Sequence, residues 1–101
     1  MKVITLCGST RFKAAYLQAQ QDLTLKGNIV ISVGLFGHAD CIDLTPETKA
    51  MLDEMHLRKI DMADEIFVIN PRGYVGESTK REIAYAKGHG KAVRYLEVTT
   101  S

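Results

Sequence analysis

The sequence predicts an α/β protein, a flavodoxin-like or Rossmann-like doubly wound parallel sheet of four strands with helices on both faces. Two observations carry this. Strand-like and helix-like stretches alternate β-α-β-α-β-α-β along the chain. The strands are also continuous apolar runs rather than alternating ones, as in sheets covered on both sides. Right-handed crossovers between successive parallel strands then give the order 2-1-3-4, which makes the first and third strands central.

Lys2 to Leu6 (KVITL) is a short β-branched run and reads as the first strand. After CGST, apolar residues recur at helical spacing at Phe12, Ala15, Tyr16, Ala19 and Leu23, so a helix is expected up to about Lys26, stopped by Gly27-Asn28. Ile29 to Val33 (IVISV) is the second strand, and Gly34 to Leu44 is a long loop of the kind that often carries function. Thr45-Pro46-Glu47 offers an N-cap, a proline at the first helical position and an acid in the first turn. The second helix is expected to run to about Ala63, with Leu52, Met55, His56, Ile60 and Ala63 on one inward stripe. Glu65 to Ile69 is the third strand, a helix begins near Ser78 and ends at His89-Gly90, and Ala92 to Leu96 forms an edge strand.

The chain of 101 residues is expected to make one domain, small enough that self-association would help its stability; a homodimer is therefore expected. A net charge of +1 gives no electrostatic reason to bind nucleic acid polymers or a membrane surface. No apolar run approaches a bilayer span, and no signal-peptide pattern opens the chain. The two cysteines, Cys7 and Cys41, form neither a CxxC pair nor a disulfide framework, so a cytoplasmic location is expected. Cys7 ends an apolar strand and reads as a small buried hydrophobe.

The carboxyl ends of the two central strands carry CGSTR and NPRGYVGES, and the topology brings both loops to the switch point where open α/β sheets bind ligands. In the first loop Gly8 allows close backbone approach, Ser9 and Thr10 supply hydroxyls, and Arg11 can grip a phosphate; the plainer alternative is a helix cap followed by a solvated arginine. In the second, Gly76 gives freedom while Ser78 and Thr79 offer hydroxyls and a cap. Lys80 and Arg81 place positive charge in a first turn, against the helix dipole; an anionic ligand or Glu77 would relieve this. A phosphate is accordingly expected between Ser9-Arg11 and Ser78-Thr79.

Glu82 follows Ser78 by four residues and shares its helical face. Near a helix N-terminus it is expected to stay ionised at neutral pH, as a nucleophile or electrostatic stabiliser; the alternative is a solvent-facing glutamate paired with Lys80 or Arg81. His56, with Asp53 one turn earlier, is either a satisfied core histidine or an acid or ligand at the site. His38, Asp40, Cys41 and Asp43 share a loop whose composition fixes no ligand geometry, so neither a metal nor a cofactor is expected.

The CGST-R turn, the strand ADEIFVIN and the glutamate within E-I-A-Y-A before G-K resemble the nucleoside 2-deoxyribosyltransferase-like superfamily. Within it, the 2′-deoxynucleoside 5′-monophosphate N-glycosidases are the most similar, through their own C-G-S-x-R turn. The resemblance implies that Glu82 is the catalytic glutamate that attacks the anomeric carbon. It also implies that Gly8, Ser9, Thr10 and Arg11 bind substrate, with Ser78-Thr79 as the turn ahead of the glutamate. His56 stands where the family carries an aspartate, and Thr5 where the glycosidases carry a tyrosine. The implied ligand is a nucleoside or nucleotide and the implied reaction hydrolysis, with deoxyribosyl transfer and a non-catalytic nucleotide-binding module as alternatives.

Overall fold

A computed structural model describes residues 1–98. The elements are β1 (Val3–Gly8), α1 (Lys13–Leu25), β2 (Ile29–Ile31), α2 (Pro46–Asp61), β3 (Glu65–Ile69), a short 3-10 turn (Pro71–Gly73), α3 (Glu77–Gly88) and β4 (Ala92–Tyr95). The sheet has four strands in the order β2-β1-β3-β4, all pairs parallel. This is the expected doubly wound architecture, and the no-longer-than-16-residue helices include none long and apolar enough to cross a membrane, among the described residues.

The pleat of the two central strands decides what faces what. Cys7, Ile66 and Val68 point to one side and pack with Ile60 of α2 and Ala86 of α3. Leu6 and Ile69 point to the other and pack with Tyr16 and Ala19 of α1. Successive side chains on a strand alternate faces, so α1 covers one face while α2 and α3 cover the other. Glu65, at the amino end of β3, is buried and meets Arg94 Nε at 3.1 Å and Lys2 Nζ at 3.5 Å. Its charge is thereby compensated at the end of the sheet opposite the loops.

Four boundaries differ from the sequence reading. β1 runs on through Cys7 and Gly8, which pair with Val68 and Ile69 of β3; the sheet's own pairing carries the strand past its β-branched stretch. β2 is only Ile29–Ile31, and Ile29 is exposed, because β2 is an edge strand with one neighbour. α1 starts at Lys13 with Phe12 as N-cap, so neither Ser9 nor Thr10 caps it. α2 begins as expected: Thr45 Oγ1 accepts from the Thr48 N–H at 3.1 Å and Pro46 opens the helix. It ends at Asp61, before Ala63.

Candidate functional site

The two loops at the carboxyl ends of β1 and β3 meet, together with α2 and the 34–44 loop, around an open cleft of about 510 Å³. Gly8, Ser9, Thr10, Arg11, Asp53, His56, Gly76, Ser78, Thr79 and Glu82 all line it. The sequence reading thus named residues that fold to one place.

The first loop is built around Gly8. Its φ of +147° belongs to the glycine range, and a Cβ there would stand 2.7 Å from the carbonyl oxygen of Ile69. Its own carbonyl accepts a hydrogen bond of 2.8 Å from the Tyr16 hydroxyl, and Tyr16 is fully buried. The turn is therefore pinned from below by α1 and from the side by β3. Ser9 Oγ accepts from Arg11 Nε at 3.0 Å, which draws the guanidinium back over the turn, 4.9 Å from the centre of the Tyr74 ring. Thr10 Oγ1 accepts from the His38 N–H at 3.2 Å, and Lys13 pairs with Asp40 at 2.9 Å, so the 34–44 loop is tied across the cleft.

In the second loop Gly76, not Ser78 or Thr79, is the N-cap of α3, and α3 starts at Glu77 without a side-chain cap. An uncapped start leaves backbone donors for another acceptor, the arrangement that receives anions. Lys80 is paired with Glu77 at 3.3 Å, and Arg81 Nη2 donates to Ser78 Oγ at 3.3 Å. Neither cation pairs with Glu82.

Glu82 instead turns inward, its side chain 17% exposed, so the solvent-facing alternative does not hold. Its Oε1 lies 3.8 Å from Nε2 of His56, and that same Nε2 lies 3.3 Å from the sulfur of Cys7. The three side chains come from β1, α2 and α3, on the face of the sheet that α2 and α3 cover. Burial, with the negative charge of Asp53 adding to it against Arg81 and Lys49, pushes the Glu82 carboxyl up to about 7. The helix start was expected to keep it ionised at neutral pH; desolvation instead raises it into that range against the dipole. Burial and the nearby Lys59 charge, opposed by Asp53, push His56 down to about 4, so its imidazole is neutral near pH 7. Burial first, then Glu82, holds the Cys7 thiol well above its ordinary value. With one nitrogen facing both neighbours, the imidazole tautomer follows Glu82. An ionised carboxylate favours a proton on Nε2, whereas a protonated one and the thiol both favour a bare Nε2.

Several cleft residues were not singled out from the sequence. Lys49 pairs with Asp53 at 3.2 Å, and Lys59 Nζ donates to the Ser32 carbonyl at 2.9 Å, its ammonium pushed down by burial. The helical period was the available signal: 49, 52, 53, 56 and 59 fall on one face of α2 with His56. Tyr74, on the loop before α3, had no such signal. Cys7 was read as a hydrophobe; it is fully buried, yet its sulfur is a neighbour of the two ionisable groups. Among the described residues, Cys7, His56 and Glu82 are the His, Cys, Asp or Glu group whose ligand atoms converge; the 34–44 loop supplies none.

No protein-family model matches this chain, and neither does any curated protein.

Proposed function

We propose that the chain is an N-glycosidase that hydrolyses the bond between base and sugar in a nucleoside or deoxynucleoside 5′-monophosphate. The observation that carries this is the placement of an inward-facing, largely buried Glu82 on the wall of a cleft whose floor is two anion-suited turns. From Ser78 to Glu82 is one helical turn, about 6 Å along the axis, comparable to the reach of a sugar from its 5′-phosphate to its anomeric carbon. A phosphate at the Gly76–Thr79 start and the Ser9–Arg11 turn would therefore set the anomeric carbon near the carboxylate.

The ionised carboxylate attacks the anomeric carbon, or stabilises its oxocarbenium character, as the C–N bond breaks. The base leaves with the bonding pair and takes a proton from solvent, which the water of the next step replaces as its hydroxyl joins the sugar. Water then opens the glycosyl ester, restoring Glu82 and releasing the sugar phosphate. His56, neutral near pH 7, acts as a positioning residue that orients and desolvates the carboxylate rather than as an imidazolium acid. In a deoxyribosyltransferase a second base would replace that water. A non-catalytic nucleotide-binding module is favoured by one observation: at the cleft position where the resembled family carries an aspartate this chain has His56, which burial keeps neutral near pH 7. The two cysteines stand free, which suits the cytoplasm, and we infer that location.

The resemblance to the deoxyribosyltransferase-like superfamily supports the same reading. A panel of ribo- and deoxyribonucleoside monophosphates, read out as released free base, tests it. Binding without cleavage of any member would leave the module.

A further inference from the structure

The geometry points to a divalent transition-metal site, of the kind that takes Zn2+, formed by Cys7 Sγ, His56 Nε2 and Glu82 Oε1. These ligand atoms all lie within 4.8 Å of one another, with 3.3 Å between sulfur and nitrogen and 3.8 Å between nitrogen and oxygen. Zinc bound to thiolate, imidazole and carboxylate at its usual bond lengths requires tetrahedral edges of about 3.5 Å. Two edges are thus nearly in place, and the third closes by a small rotation of the Glu82 side chain, which is the most exposed of the three.

The donor set selects the metal. One soft thiolate with an imidazole favours zinc or a similar ion over magnesium or calcium, which need shells of oxygen. The ligands come from three separate elements, β1, α2 and α3, so the rigid sheet and two helices fix the sulfur and nitrogen before metal arrives. His56 and Glu82 line the cleft, which gives the ion an entry path and leaves the fourth position for water. On binding, the Cys7 thiol gives its proton to solvent and coordinates as thiolate.

The site goes beyond the glycosidase reading, and its consequence rests on that reading: a carboxylate holding zinc cannot attack a sugar. Metal and nucleotide turnover therefore exclude one another, and zinc acts as an inhibitor.

The test uses untagged full-length protein carrying Cys41→Ser, so that any thiolate signal belongs to Cys7. Titration with Co2+ should give a 1:1 complex with a near-ultraviolet thiolate-to-cobalt band, displaced by one equivalent of Zn2+. Cys7→Ser should abolish that band, and Glu82→Gln, which keeps size and fold, should weaken Zn2+ binding on the order of a hundredfold. No stoichiometric complex, or one indifferent to both substitutions, would overturn the site. If metal binds through these residues but nucleotide cleavage continues unchanged, the role of Glu82 in cleavage fails and the metal site stands. If cleavage proceeds in wild type and is lost in Glu82→Gln while no metal binds, the metal site fails and the role of Glu82 stands.

Discussion

The Glu82 carboxylate stands 3.8 Å from His56 Nε2, and burial displaces the two groups in opposite directions, Glu82 up to about 7 and His56 down to about 4. Each displacement from the ordinary value is worth on the order of 3 kcal/mol. From the ordinary glutamate range up to about 7, native Glu82 keeps a proton that the unfolded chain has released, so its contribution to stability falls as pH rises. From about 4 up to the ordinary histidine range, native His56 refuses a proton that the unfolded chain takes, so its contribution rises with pH. The slopes oppose, and the pair leaves the metal-free protein nearly indifferent to pH over their shared span.

Single substitutions should expose each slope. With a chelator present, Glu82→Gln should lose stability on acidification through the histidine range and gain on wild type at and above neutral pH. His56→Asn should instead gain stability on acidification from pH 7. Urea denaturation at a series of pH values checks both. Two variants that track the wild-type profile would show that the displacements are absent.

Gly8→Ala should be costly. The new Cβ would meet the Ile69 carbonyl at 2.7 Å, in a backbone conformation that only glycine adopts easily. A loss of about 2–4 kcal/mol is expected from overlap and strain together. Tyr16→Phe, which removes only the hydroxyl that holds the same turn, should cost about 1 kcal/mol. Chemical denaturation ranks them, and an equal or smaller loss for Gly8→Ala would mean that the turn yields.

Topology was legible in the sequence because continuous strands and helical periods are both set by burial, and burial dominates the energetics. Placement of the site followed from topology, since the loops after β1 and β3 must meet once those strands are neighbours. The ionisation of Glu82 was not legible. Its place four residues after Ser78 suggested a charged helix start, whereas its approach to His56, which in turn meets Cys7, depends on how α2 and α3 close over the sheet. The caps misled for a related reason. Ser9 and Ser78 are good capping residues by type, but their hydroxyls are engaged by Arg11 and Arg81.

Self-association is expected through the outer face of α2. Met51 and Met55, one turn apart, are exposed, although Met55 was expected on the inward stripe; Ile42 and Leu44 on the loop before the helix are exposed too. Ile42, Leu44 and Met55 also edge the cleft, so a second copy seated there would wall its mouth. Light scattering at micromolar concentration should report a dimer, and Met51→Lys with Met55→Lys should return a folded monomer. A monomeric wild type would refute this.

Catalysis should follow the charge on Glu82. With metal removed, kcat/KM for a cleaved nucleotide should rise with pH through an inflection near 7, where the carboxyl ionises. Asp53, exposed and on the neighbouring turn of α2, helps to hold that inflection up, so Asp53→Asn should move it to lower pH while the limiting rate changes less. Glu82→Gln retains shape but not charge, and should cost on the order of a hundredfold or more in kcat with nucleotide affinity nearly intact. Affinity, measured by calorimetry on the same preparations, separates lost chemistry from lost binding. A Glu82→Gln variant that cleaves at the wild-type rate would remove Glu82 from the reaction. A profile whose inflection ignores Asp53→Asn would assign the titration to another group.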